Sequence, residues 1–266
     1  MKSFELIKKI FEDRNITEVG IVQSRHLIFQ KKYLLNDFEQ YKSCIVFCIP
    51  YKTPNNNPDN ISKYSAVYDY HLFFKCFFED ISVELKKAFP QHNFIGFTDH
   101  SPINERDAAI KAGLGIIGKN SMLINEKYGS YIFLGSIFST IETQATPHEV
   151  KTCINCQKCI SACPGGSLQN GFENCLSYIT QKKSKNENDI EFIKSNKYVW
   201  GCDICQDVCP YNKHALSSPI PFFYNNIINH LTTKIVSEMT DDEFSKRAFS
   251  WRGRKTILEN LSYFNE

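Results

Sequence analysis

Apolar positions along the chain recur with two spacings, and each spacing predicts an element. In residues 3–13, Leu6, Ile7, Ile10 and Phe11 share one helical face, with Ser3 placed as a cap. Residues 45–49, Ile-Val-Phe-Cys-Ile, form a short β-rich run ended by Pro50 and predict a buried strand. Residues 51–62, with Pro54, Pro58 and several asparagines, predict a loop. From residue 69 to 89 the helical period returns, with Phe73, Phe77, Ile81 and Leu85 every fourth position. Residues 93–98 predict a second strand, with Asp99 at its end. Ser101-Pro102 reads as a cap followed by proline in the first helical turn, opening a helix that runs to about Ala112 and stops at Gly113-Leu114-Gly115. A third strand or hairpin is expected over residues 130–140. Strands alternating with helices in this way predict an α/β (α+β) front domain.

The second half has a different texture. Residues 182–189, Lys-Lys-Ser-Lys-Asn-Glu-Asn-Asp, predict a solvated loop. Thr240-Asp241-Asp242-Glu243 is a capping box opening a helix, and the tail ends with one apolar segment over residues 257–264. The expected division is a domain over 1–150, a cysteine module over 151–215 and a helical tail over 216–266 that packs back on the core.

Composition narrows the class. Of 266 residues, 42% are hydrophobic and 23% charged, so the chain can bury a core and is not disordered. A formal charge of +2 excludes a polybasic protein, so a nucleic-acid partner has to be met by a local patch. Apolar runs such as Tyr131-Ile132-Phe133-Leu134 fall far short of the roughly 20 residues of a membrane helix. The start, Met1-Lys2-Ser3-Phe4-Glu5-Leu6, lacks the apolar core of a signal peptide. A soluble, cytoplasmic protein with no membrane partner is expected.

Cysteine changes the picture most. There are 11, and eight lie between Cys153 and Cys209. An odd total without an export signal argues against disulfides. Cys153-x2-Cys156-x2-Cys159-x3-Cys163-Pro164 has the bacterial ferredoxin spacing, in which the fourth thiolate reaches the neighbouring cluster. Cys202-x2-Cys205-x3-Cys209-Pro210 is the same motif one cysteine short, and Cys175 supplies the eighth ligand. The crossover rule then joins Cys153, Cys156 and Cys159 with Cys209 on one 4Fe–4S cluster, and Cys202, Cys205 and Cys175 with Cys163 on the other. Zinc sites use sets of four ligands and do not call for this double motif. Cys44, Cys48 and Cys76, set among Ile, Val and Phe, read as buried fillers. Clusters pass single electrons without choosing a substrate, so the front domain is where function is expected.

Several stretches together carry a resemblance to one known family. They are residues 63–71 (Lys-Tyr-Ser-Ala-Val-Tyr-Asp-Tyr-His), Thr98-Asp99-His100-Ser101-Pro102, and Glu105-Arg106-Asp107-Ala108-Ala109. The resemblance continues through residues 112–120 (Ala-Gly-Leu-Gly-Ile-Ile-Gly-Lys-Asn), 128–135 (Tyr-Gly-Ser-Tyr-Ile-Phe-Leu-Gly), both cysteine motifs, residues 175–180 (Cys-Leu-Ser-Tyr-Ile-Thr) and Ser250-Trp251-Arg252-Gly253. Together these stretches resemble the epoxyqueuosine reductase family, and the resemblance implies a nitroreductase-like domain binding base-off cobalamin, fused to a ferredoxin-like two-cluster domain and a short tail. The implied reaction reduces epoxyqueuosine at the tRNA wobble position to queuosine, with cob(I)alamin charged through the two clusters. A low-potential electron donor such as ferredoxin or flavodoxin and a monomeric chain are implied too. Longer members continue into a helical-repeat domain after the Trp-Arg-Gly segment, so this chain is expected to be a short form.

By the same resemblance Asp99 protonates the departing oxygen, kept protonated in a dry pocket beside the corrin; the residue by itself fits a turn carboxylate as well. Asp69, Tyr70 and His71 are implied cobalamin contacts, although they also suit a plain helix start. Asp69-x-His71 echoes a corrinoid motif in which histidine ligates cobalt, but Phe74 stands where that motif has glycine, and the family leaves the lower face of cobalt without a protein ligand. Gly118, Lys119, Asn120, Gly129, Ser130, Tyr131 and Ser177 complete the implied cobalamin set; the glycines alone fit tight turns. For tRNA, Arg252, Arg254 and Lys255 beside Trp251 are implied phosphate contacts, with a solvated basic turn as the plainer alternative. Two rival functions are a reductive dehalogenase, which also joins cobalamin to two cubanes, and a free-standing electron-transfer module.

Overall fold

A computed structural model describes residues 2–144 and 151–264; the expected domain limit at residue 150 and the end of the tail at Glu266 lie outside the described residues. The chain forms two compact units. One holds residues 1–50, 73–118 and 122–154, and the other holds 51–72, 119–121 and 155–266.

The first unit is built on a sheet with strand order β1-β2-β6-β3, antiparallel throughout. Its elements are α1 (Lys2–Glu12), β1 (Val19–Gln23), β2 (Ser43–Pro50), α2 (Tyr70–Ala88), β3 (Phe94–Phe97), α3 (Glu105–Lys111), a hairpin of β4 (Ile116–Ile117) and β5 (Leu123–Ile124), and β6 (Ile132–Ser139). The eight residues of β2 are all buried, and their side chains alternate between two layers. Phe47 meets Phe11 of α1 and Phe74, Phe77 and Phe78 of α2 on one face. Cys44, Val46 and Cys48 pack on the other face with Ala108, Ala109 and Ala112 of the α3 region. Small residues on α3 allow it to lie close. At Gly20 of β1 a Cβ would stand 2.1 Å from the carbonyl oxygen of Ala112, and backbone cannot swing away as a side chain can. Gly20→Ala is therefore expected to lower stability by roughly 1–3 kcal/mol through overpacking, read as a drop in apparent Tm.

Several expectations need correction here. The helix after β3 starts at Glu105, not at Ser101-Pro102. Ile103 bridges to Phe29, the Pro102 carbonyl accepts from Gln30 and Lys31, and Asn104 N–H donates to Ile28, so residues 101–104 are held as an extended strap. Asn104 then caps α3 by accepting from Asp107 N–H at 3.2 Å. Leu6 is 42% exposed, while Ile7, Ile10 and Phe11 are buried. Cys44 and Cys48 are buried, but Cys76 lies on the outer face of α2 and is exposed.

The second unit carries α4 (Lys158–Ala162), α5 (Ser167–Asn170), α6 (Leu176–Thr180), α7 (Glu187–Asn196), α8 (Ile204–Asp207), α9 (Thr233–Glu238), α10 (Asp241–Ser245) and α11 (Arg254–Ser262). Trp200 is its central side chain, fully buried with Ile61, Ala66, Val199, Leu231, Phe249 and Ile257, its Nε1 donating to the Tyr64 hydroxyl at 3.1 Å. Asn260 of α11 donates through Nδ2 to the carbonyls of Thr180 and Val199, both at 2.8 Å, tying the last helix to the cysteine segment. Residues 182–186 form the expected loop, with Lys183, Ser184 and Asn186 exposed, but the segment ends in a helix. Asn186 and Asp189 form a reciprocal capping box that opens α7, and Asp189 is buried and paired with Lys182 at 2.8 Å. The box at Thr240 and Glu243 opens α10 as the sequence pattern expects. Among the described residues no helix is long and apolar enough to cross a membrane.

Candidate cluster and catalytic sites

A short helix lies within each cysteine motif, α4 in the first and α8 in the second, and the two helices pack together. Left-handed residues Asn155 (φ 54°) and Gln157 (φ 60°) wind the first motif before α4. Cys163 ends α4, Cys175 caps α6, Cys205 sits in α8 and Cys209 precedes a 3-10 turn. The thiols fall into two electrostatic sets. Cys202 and Cys205 each feel Cys163 and Cys175, and burial first, then neighbouring thiolates and Asp203, pushes both up to about 12. Cys159, likewise raised first by burial, feels Cys209 and Cys156. Cys153, half-buried, closes the first unit. Crowded thiolates of this kind gain most when iron replaces their protons. At Cys163 burial is outweighed by the Ser167 hydroxyl and by N–H groups of Ser167, Leu168 and Gly165, which together bring the thiol below its usual value. N–H and O–H donors aimed at sulfur are the groups that tune iron–sulfur centres. The donor set therefore fits four-iron clusters.

Other residues singled out in the sequence occupy the same unit. Asp69 is the N-cap of α2: its Oδ1 accepts from the His71 N–H at 2.9 Å and meets His71 Nδ1 at 2.8 Å. Tyr70 stacks on the exposed His71 ring at 4.2 Å. Lys119 is exposed, whereas Asn120 is buried, with Nδ2 3.4 Å from the Cys205 carbonyl. Ser177 accepts from the Gln181 amide at 3.1 Å. The basic tail residues separate: Lys255 is exposed, and Arg252 stacks on Trp251 at 4.1 Å. Arg254 turns inward, bonding Val236, Thr240 and Asp241 and stacking on Phe244 at 4.5 Å. Lys185, next to Lys182 and Arg252, joins that basic group without having been foreseen.

Asp99 lies in the first unit, just past β3. The Thr98 hydroxyl donates to the Leu134 carbonyl of β6 at 2.8 Å and fixes the end of the strand. His100 N–H then donates back to the Thr98 carbonyl at 2.6 Å, a three-residue turn with Asp99 at its centre and φ 59°. A γ-turn with positive φ is the rare, strained hand. Glu105, at the first position of α3, is half-buried and lies near enough to Asp99 to feel its charge, and its Oε1 has no hydrogen-bond partner. Burial first, then the Asp99 charge, pushes Glu105 from 4.5 up to about 8, against the pull of Lys31. Gly118 closes the β4–β5 turn by donating to Met122, and left-handed Gly129 (φ 61°) exchanges both backbone hydrogen bonds with Asn125. Ser130 and Tyr131, which follow it, are buried. Sequence reasoning passed over Glu105, since an acid in a first helical turn looks like an ordinary partner of the helix dipole.

The Glu105 value gives a pH dependence of stability. In the unfolded chain the carboxyl loses its proton near 4.5, but in the folded chain it keeps it to about 8. Between those values the folded state binds more protons, so stability falls as pH rises. Glu105→Gln lacks this loss. Its apparent Tm is expected to gain on the wild type between about pH 5 and pH 8.5, by an amount corresponding to a few kcal/mol.

A mixed α/β unit joined to a cysteine module of this design defines an iron–sulfur oxidoreductase. Residues 152–212 match the 4Fe-4S double cluster binding domain. The epoxyqueuosine reductase of Leadbetterella byssophila is 31% identical over 242 residues, covering 88% of this chain and 79% of its own. In fold, the chain is similar to an epoxyqueuosine reductase solved with an epoxyqueuosine-modified tRNA-Tyr stem loop (TM-score 0.79, 21% identity, 98% of this chain and 80% of that one). It is equally similar to a Bacillus subtilis epoxyqueuosine reductase whose aspartate-bearing catalytic loop is swung out of the active site (TM-score 0.79, 22% identity, 98% and 81%). The chain belongs to the epoxyqueuosine reductase family.

Proposed function

We propose that this chain reduces the epoxide of epoxyqueuosine at the wobble position of a tRNA to queuosine, with cobalamin and two 4Fe–4S clusters. The family match across most of the chain carries this reading. The reaction consumes two electrons and two protons: both carbon–oxygen bonds break, an alkene forms and the oxygen leaves as water. Cobalamin, when bound, supplies a low-potential cobalt centre able to act on the epoxide. Cys153, Cys156, Cys159 and Cys209 hold one cluster; Cys163, Cys175, Cys202 and Cys205 hold the other. The two electrostatic sets of thiols support that division.

Asp99 delivers a proton to the departing oxygen, since an alkoxide is a poor leaving group. Its place on a strained loop supports the role, as does the catalytic aspartate loop of the Bacillus subtilis family member. Gly129 lets backbone come close to a large flat ligand, with Ser130 and Tyr131 behind it; Gly118 and Lys119 flank a second turn, which Asn120 fastens. Asp69 holds the Nδ1 side of His71, which orients Tyr70 and His71 together, and Ser177 belongs to the same set. Arg252 and Lys255 face tRNA phosphates, joined by Lys185, while Arg254 shapes the tail from within. A low-potential donor such as ferredoxin or flavodoxin feeds a monomeric chain. The dehalogenase alternative is not favoured.

The test is anaerobic incubation of cobalamin-loaded protein and a low-potential reductant with epoxyqueuosine-containing tRNA, followed by nucleoside mass analysis. Loss of one oxygen from the modified nucleoside is expected. Unchanged epoxyqueuosine alongside turnover of a halogenated phenol would reassign the enzyme.

A further inference from the structure

Ser167 carries a hydroxyl that the proposed reaction does not use, yet it stands against one of the cluster sulfurs. Its Oγ lies 3.3 Å from Cys163 Sγ, and both residues are half-buried. A thiolate bound to iron has no proton to give, so in the loaded protein the hydroxyl is the donor and the sulfur the acceptor. The backbone fixes this arrangement. Gly166 N–H donates to the Cys163 carbonyl at 3.1 Å and closes a turn over Pro164 and Gly165. Left-handed Gly166 (φ 60°) then opens α5 with Ser167 at its first position, the Gly166 carbonyl accepting from Gln169 and Asn170 N–H, both at 3.0 Å. A Cβ on Gly165 would stand 1.9 Å from the Asn174 carbonyl oxygen, so the turn rests on the backbone just before Cys175. Asn174 donates through Nδ2 to the Asn170 carbonyl at 3.3 Å and ties the far end of α5 to the same place.

The charge around this cluster opposes its reduction. Asp203, next to Cys202, is only 2% exposed, and Asp207 lies two residues beyond Cys205. Lys63 balances part of that charge, its Nζ 2.7 Å from Asp207 and 3.9 Å from Asp203. Taking one electron from the low-potential donor makes the cluster more negative by one charge, with no bond made or broken. A hydrogen bond to a ligand sulfur strengthens as that sulfur gains negative charge, and so favours the reduced state. We propose that Ser167 raises the reduction potential of the cluster held by Cys163, Cys175, Cys202 and Cys205, through the hydrogen bond it donates to Cys163, and so lets the donor charge that cluster. This rests on the reading of Cys163 as a ligand. Ser167 touches no reacting atom of the substrate; it acts through Cys163.

The test is an anaerobic redox titration of the full chain with its clusters, followed by electron paramagnetic resonance, in the wild type, Ser167→Ala and Ser167→Thr, with iron counted in each. It needs neither corrinoid nor tRNA. In Ser167→Ala one of the two one-electron steps should move to lower potential. The expected change is on the order of tenfold in the reduction equilibrium, which is about 59 mV. The other step and the iron content should stay as in the wild type. Ser167→Thr keeps the hydroxyl, and threonine divides between two rotamers in a helix, so it should titrate close to the wild type. Both steps unmoved in Ser167→Ala at full iron, or Ser167→Thr shifted as far as Ser167→Ala, would overturn the proposal. Iron in Cys163→Ala separates the two readings. A fall to about four atoms upholds the ligand whatever the Ser167 variants show, whereas about eight atoms would remove the ligand and the proposal together.

Discussion

Asp99→Asn is expected to keep both clusters and its corrinoid while losing between about 10²- and 10⁴-fold in turnover, the usual contribution of a positioned general acid. The substitution preserves shape, and asparagine tolerates positive φ as aspartate does, so the strained turn should persist. What disappears, on the proposed assignment, is the proton for the departing oxygen. The expected signature is a fall in kcat with an unchanged visible spectrum and an unchanged apparent Tm. A variant that turns over normally would move the acid elsewhere.

Cys175→Ser should have the second large effect, of another kind. Cys175 stands outside both motifs, at the cap of α6, and shares its electrostatic environment with Cys163, Cys202 and Cys205. Oxygen is a poor substitute for a thiolate on iron. One cluster should therefore be lost or severely destabilised, taking iron from about eight to about four atoms per chain. Reduction of the tRNA nucleoside by a protein donor should fall to background. A Cys76→Ser control should change neither, since Cys76 is exposed on α2 and remote in sequence from the motifs. Full iron in Cys175→Ser would mean that another residue is the eighth ligand.

These two residues also show how much the sequence discloses. The ligand spacing of an iron–sulfur motif is local: a few residues wind around one cluster, so Cys153 through Cys163 can be read without knowing the fold. Cys175 is proposed on a count alone, because two clusters ask for an eighth thiolate. The aromatic rows of α2 and the buried run of β2 were legible through their periods, since both meet a continuous core. The β4–β5 hairpin was not, because two-residue strands carry no period. Residues 101–104 carried helix-start signals, yet pairing with residues 28–31 decided their conformation, and that partner lies some 70 residues away in sequence. Arg254 looked like one more cation in a basic tail, whereas carbonyls of α9 and the α10 cap claim its guanidinium. The same limit hid Glu105. Its raised value depends on where the Asp99 turn lies, and no spacing between residues 99 and 105 encodes that closeness.

Metal analysis of the anaerobically purified chain after incubation with cobalamin and removal of the excess bears most directly on whether two iron cubes serve a cobalt centre here. About eight iron atoms and one cobalt per chain, with no zinc, are expected. Zinc in place of iron, or cobalt that washes away completely, would contradict the assignment of cofactors on which the proposed reaction depends.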